Sequence, residues 1–182
     1  LAPRNRRVEP QTTYYSQRDP RWASKWYGVS NIDQSGCVPT SLAMTFTDIL
    51  GTVIAPTTVA DYLYYNTNSF NKTSVAGTDA DGIVLASKNW GLKSNVLSSI
   101  ANIASALMSG QHVLAAVGAS QFINYPYTHE IVLHGYDNGK TYVRDPFNAN
   151  NNGWYSLDYI HGVQSRDAMD TKLGAPFFSI FA

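Results

Sequence analysis

Two hydrophobic periods divide this chain. Up to about residue 108 the apolar positions recur at helical spacing, and beyond it they alternate or run continuously. Leu42, Phe46, Ile49 and Leu50, with Ala43 beside them, fall at i, i+4, i+7 and i+8, which predicts an amphipathic helix over 37–50 ended by Gly51. Pro56 starts a second helix over 56–66, with Val59, Tyr62 and Leu63 on its apolar side. Thr78-Asp79-Ala80-Asp81-Gly82 precedes a short helix over 83–90. Its aspartates lack the later acidic ligands of a calcium loop, so N-capping is the better account. A strand is expected over 93–97, and Ser98 or Ser99 caps a helix running to Met108. Strands then follow over 112–117, 130–134, 141–144 and 177–181. Nearer the start, 14–17 reads as a short strand and 29–36 as a polar loop. Helices first and antiparallel strands second make an α+β fold, with N-terminal helices packed on a C-terminal antiparallel sheet.

Composition narrows the function classes. With 182 residues and 44% hydrophobics the chain can bury one sizeable core, so residues 14–182 read as a single domain. Residues 1–13, with Pro3, Pro10 and several arginines, read as a linker or tail. Thirteen Lys and Arg balance thirteen Asp and Glu, and the only basic run is Arg4-Asn5-Arg6-Arg7 in that tail, which argues against a nucleic-acid partner. No apolar run approaches the ~18 residues a membrane span needs. The few charges, the 12 tyrosines and the abundant Asn, Ser and Thr resemble exported, wall-associated bacterial proteins. The start at Leu1 shows no signal-peptide core, so a leader or additional wall-binding domains are expected outside this chain.

The single cysteine excludes an internal disulfide and a multi-cysteine metal site. Its place changes the picture further. Cys37 opens the first predicted helix, after the turn-prone Asp33-Gln34-Ser35-Gly36 and just before Pro39. Free N–H groups and the positive end of the helix dipole favour a thiolate there. A thiol nucleophile needs an imidazole and a group that fixes its tautomer. His129 opens a strand, and Asp145 ends the next one. A two-residue Asn138-Gly139 hairpin loop would pair Asp145 with Val132 and turn it away from His129. A three-residue loop, or an equivalent bulge, would set Asp145 opposite Ile131 on the face of His129, ~7–8 Å away along the diagonal. His134 has the opposite parity, and His112 and His161 have no acid in a matching position.

Four segments carry a specific resemblance. Tyr15-Ser16-Gln17-Arg18-Asp19-Pro20-Arg21-Trp22, Gly36-Cys37-Val38-Pro39-Thr40-Ser41-Leu42-Ala43-Met44, His129-Glu130-Ile131-Val132-Leu133-His134-Gly135-Tyr136-Asp137 and Val143-Arg144-Asp145-Pro146 together resemble the C39-like cysteine peptidases. These are a papain-like group whose stand-alone members are mostly bacterial and extracytoplasmic. The resemblance implies a papain-like fold, Cys37 as nucleophile, His129 as general base and acid, and Asp145 as its orienting residue. It gives the oxyanion-donor role to Gln17, with Gln34 a rival nearer in sequence. No metal or organic cofactor is implied. The chain departs from the family at Val38 and Thr128, where glycine is common. The implied reaction is hydrolysis of an amide bond, with a secreted peptidoglycan peptidase or amidase as the first reading. A secreted peptide-processing protease and an inactive wall- or partner-binding module are the alternatives. Tyr125-Pro126-Tyr127 and Trp154-Tyr155 are candidate cleft walls or simple packing.

Overall fold

A computed structural model describes residues 12–182. In chain order the elements are β1 (Trp26–Tyr27), β2 (Ser30–Asn31), α1 (Ile32–Ser35), α2 (Cys37–Leu50), α3 (Pro56–Asn66) and α4 (Ala80–Asn89). There follow β3 (Lys93–Leu97), α5 (Ile100–Met108), β4 (His112–Val117), β5 (His129–Asp137) and β6 (Lys140–Arg144). The chain ends with β7 (Gly153–Ser156), α6 (Leu157–Gly162), α7 (Ala168–Thr171) and β8 (Phe177–Phe181). Strands β3 to β8 form one antiparallel sheet in the order β3-β8-β4-β5-β6-β7.

The helices α2 and α3 have the predicted bounds. Gly51 terminates α2 in the left-handed conformation, its N–H bonded to Thr47 O. Asp79 caps α4 by accepting from Gly82 N, and Ser99 caps α5 by accepting from Asn102 N, as the capping reading requires. The stripe on α2 is shorter than its periodicity implies. Leu42, Ala43 and Phe46 are fully buried, Ile49 is partly so, and Leu50 is exposed. Residues 14–17 form no strand, since Gln17 N bonds Pro146 O without a ladder beside it. The loop expected over 29–36 contains β2 and α1 instead, because Asn31 caps a single turn by accepting from Gln34 N. The expected linker 1–13 lies outside the described residues as far as residue 11; Thr13 donates its N–H to Asp48 at 2.8 Å.

Both faces of the sheet are covered. On one, Leu42 and Phe46 of α2 meet Val59 and Leu63 of α3, Ile83 and Ala86 of α4, and Leu114, Phe178 and Ile180 of the sheet. On the other, Ile103 and Leu107 of α5 and Leu157 and Ile160 of α6 pack on Val113, Ala115, Val117, Ile131, Leu133, Val143 and Phe177. Two-sided cover is why β4 reads as an unbroken apolar run rather than an alternating one. Burying each side chain such as Phe46 or Leu42 contributes roughly 1.5–3 kcal/mol, so α2 is clamped firmly and its first residue is fixed in space.

Candidate active site

Cys37 is the first residue of α2. Gly36 joins it to α1 so closely that an added Cβ would lie 2.6 Å from Ile32 O, and its N–H bonds that same oxygen. Space, rather than backbone conformation, demands glycine here. No side chain caps α2, so the Cys37 N–H at its start stays available to an anion, whereas Pro39 has no N–H and Thr40 N already bonds Gly36 O. Val38, at a position where glycine is common in the family, is 3% exposed and packs in the core at the edge of the cleft.

His129 and Asp145 meet through a bulge. The hairpin between β5 and β6 takes the two-residue loop, with Asp137 opposite Lys140 and both Asn138 (φ 48°) and Gly139 (φ 81°) left-handed. That loop alone would put Asp145 on the wrong face. Gly135, at φ 79°, has no partner in the ladder: Tyr136 faces Thr141, but His134 faces Tyr142. Thr141 Oγ1 donates to Gly135 O at 2.8 Å and secures the distortion. From there Val132 pairs with Arg144, so the next residue, Asp145, falls opposite Ile131 and shares the face of His129.

The imidazole is held at both ends. Nε2 of His129 lies 2.6 Å from Asp145 Oδ1, which leaves Nδ1 for Cys37. Both residues are buried, Asp145 completely. Burial opposes the imidazolium, but hydrogen bonds to Asp145 and Cys37 outweigh it and push the His129 pKa up to about 9. Burial likewise pushes the Asp145 carboxyl up, yet the His129 hydrogen bond and charge hold it below its ordinary value. Phe147 stands edge-on to the imidazole at 6.1 Å and donates its N–H to Asp145 Oδ1.

Several partners of Asp145 lie outside the sequence-derived set. Asn151 Nδ2 donates to Oδ2 at 2.9 Å, Asn152 Oδ1 accepts from the Asp145 N–H at 2.7 Å, and the Tyr14 hydroxyl donates to Asp145 O at 2.6 Å. The asparagine-rich run just after Asp145-Pro146 is the sequence signal that could have found two of them. Gln17 is buried against α1, where Nε2 donates to Asp33 O at 2.8 Å and to Ile32 O at 3.4 Å. Gln34 is exposed and lines the cleft with Cys37.

That cleft holds about 360 Å³ and is lined by Cys37, Val38, His129, Glu130 and Tyr127, with Asp167, Met169 and Asp170 on another wall. Tyr127 is therefore a cleft residue. Trp154 packs on Tyr142 and Tyr155 on Phe122, so that pair is packing. The other histidines lie apart from Cys37. His134 stacks on His112 at 3.9 Å, and His161 stacks on Phe177 and bonds Ser98 O. His112 does have an acid: Asp48 reaches it from α2 at 3.2 Å, a partner that pairing along the strands could not reveal. Among the described residues no group of three or more His, Cys, Asp or Glu is placed to hold a metal ion, and no helix is long and apolar enough to cross a membrane.

Comparison with known proteins agrees with this architecture. A chain from Bacillus anthracis assigned as a C39-like peptidase superposes with a TM-score of 0.64 at 15% identity, over 94% of this chain and 95% of that one. The peptidase domain of Streptococcus ComA, a bifunctional ABC transporter involved in a quorum-sensing pathway, gives a TM-score of 0.56 at 18% identity, over 86% of this chain and 97% of that one. At these identities the likeness establishes the papain-like α+β fold. No curated protein matches the chain. The sequence matches the Peptidase_C39 like family over residues 11–165. With that match across most of its length, the chain belongs to the Peptidase_C39 like family and is a C39-like cysteine peptidase.

Proposed function

We propose that the protein hydrolyses amide bonds by covalent catalysis at Cys37. The observation that carries this reading is one imidazole held between the Asp145 carboxylate, at 2.6 Å, and the thiol at the start of a helix, beside an open cleft. The Cys37 thiolate attacks the carbonyl carbon and forms a tetrahedral oxyanion. The Cys37 N–H donates to that oxyanion, and Gln17 is the proposed second donor on the strength of its Gln-Arg-Asp-Pro-Arg-Trp segment. Its Nε2 bonds Asp33 O at 2.8 Å and Ile32 O at 3.4 Å, and the longer bond would be exchanged for the oxyanion. Gln34 is the rival, favoured by its place in the cleft wall. A kcat loss on Gln17→Ala but not on Gln34→Ala assigns the role to Gln17, and the reverse assigns it to Gln34. Imidazolium His129 then protonates the leaving amine, and as base it activates the water that cleaves the thioester.

For substrate, we infer a peptidoglycan stem peptide reached outside the cytoplasm. The low charge and the Tyr-, Asn- and Ser-rich composition support this. A secreted peptide-processing protease is the second reading, favoured by the likeness to the ComA peptidase domain. A wall-binding module without catalysis is the third. Mass spectrometry of purified peptidoglycan digested with the protein separates them. The expected result is soluble fragments that name one cleaved amide bond, all lost with a folded Cys37→Ala variant. Fragments that persist in that variant would remove Cys37 from the mechanism. An intact wall together with cleavage of an added peptide would select the second reading.

A further inference from the structure

Beside the proposed catalytic set lies a carboxyl that the mechanism does not use. Glu130 follows His129 on β5, is 2% exposed, and lines the Cys37 cleft. Among the described residues no hydrogen bond reaches its Oε2. Leaving a buried acid oxygen without a partner is expensive, and the facing residue on β4, Ala116, offers none. Asp170 and Asp167 of the α7 region line the same cleft. Each is held in place: Ser165 Oγ donates to Asp170 Oδ2 at 2.6 Å, and Met169 N donates to Asp167 Oδ1 at 2.9 Å. No Lys or Arg is among the cleft's described lining residues, so His129 is the one basic side chain there. Met169 and Tyr127 add apolar surface to the same cleft.

We propose that Glu130, with Asp170 and Asp167, forms a cation-recognising subsite in the Cys37 cleft that takes a primary ammonium group of the substrate, carried on an alkyl stem. This rests on the reading of Cys37 as the nucleophile. Apolar walls suit methylenes, and the enclosed carboxyl supplies the charge-assisted hydrogen bond at their end. Burial holds Glu130 well above the ordinary carboxylate range, and the charges of Asp170 and Cys37 act in the same direction. An ammonium ion in the subsite reverses that balance and is bound with release of the proton. The ammonium has two possible sources: a lysine side chain in a polypeptide, or the free side-chain amine of a diamino acid in a peptidoglycan stem peptide.

The test uses methanethiosulfonate reagents, in which the Cys37 sulfur forms a disulfide and methanesulfinate leaves. The rates of the 2-aminoethyl (cationic), methyl (neutral) and 2-sulfonatoethyl (anionic) reagents are measured, each relative to free cysteine. The expected cationic-to-neutral ratio exceeds that of free cysteine by about tenfold or more at low salt, with the anionic reagent the slowest. Glu130→Gln should bring the ratio down toward that of free cysteine, and Asp170→Asn, a second variant away from the strand, should lower it in part. A free-cysteine ratio in the wild-type protein, or an unchanged ratio in both folded variants, overturns the subsite while the nucleophile stands. If no reagent modifies Cys37, the nucleophile reading falls and takes the subsite with it. Cleavage of a stem peptide, or of a lysyl polypeptide, that is lost when the amine is acetylated supports the proposal and names the source. Acetylation without effect on either overturns it.

Discussion

In the proposed mechanism the chemistry turns on His129, whose protonation is set by its two neighbours. Burial alone would make it a neutral imidazole, but Asp145 and Cys37 hold the proton and move its pKa from 6.5 to about 9. A folded-state value above the unfolded one contributes stability in full below about pH 6.5, and this is lost as pH rises through about 9. Asp145 has the opposite sign: its stabilisation is present above the ordinary carboxylate range and is lost as pH falls through its depressed value. Activity follows the imidazolium, which must protonate the leaving amine. The alkaline limb of kcat should therefore lie near pH 9, and a limb near 6.5 would show the pairing to be broken in solution. Asp145→Asn should lower kcat roughly 10²- to 10⁴-fold with little change in KM, measured by steady-state kinetics on the bond found by mass spectrometry. An unchanged kcat would leave Asp145 a packing residue.

Among the elements, the β5–β6 hairpin does the positioning. Sequence parity narrows the choice to an odd loop or a bulge, and the fold uses the bulge, with Gly135 left-handed at its centre. Gly135→Ala should cost about 1–2 kcal/mol for the strained conformation, measured by denaturant unfolding. Deleting Gly135 removes the bulge, but His134 still faces Tyr142 and Asp145 still falls opposite Ile131, so kcat should be retained. A fall in kcat to the level of Asp145→Asn would show that the bulge itself, and not the pairing of β5 with β6, places the acid. The bulge is hard to read in advance because Asn138-Gly139 is a strong two-residue loop signal, while one glycine within a strand gives only a weak hint of irregularity. Helix α2 is read far more easily: its stripe, its proline and its terminating Gly51 all agree, and the structure gives it the same bounds. Glu130 and Asn151 stay hidden in the sequence because their meaning depends on α7 and on the loop after Asp145, which carry no periodic pattern.

Across the whole molecule, the sheet lies between two helical layers, and the two ends of α2 are fixed to it differently. At the N-terminus Cys37 meets His129. Near the C-terminus Asp48 binds Arg144 at 3.0 Å, His112 at 3.2 Å and Thr13 N at 2.8 Å, anchoring the helix to β4, β6 and the incoming chain. Arg144 directly precedes Asp145, so the far anchor also fixes the strand that carries the acid. Burial and then the His112 charge hold the stacked His134 down at about 4, which keeps it neutral beside Arg144. The helical layer of α5 and α6 is only half legible: α5 shows an apolar stripe, but α6 is too short to show a period.

The central claim is that Cys37, His129 and Asp145 act as one coupled unit, and an NMR titration of the His129 imidazole tests it most directly. In the wild-type protein the ring should stay protonated up to about pH 9, and in Cys37→Ala and in Asp145→Asn its midpoint should fall. A wild-type midpoint at or below 6.5, unmoved by either substitution, would contradict the coupling on which the proposed catalysis depends.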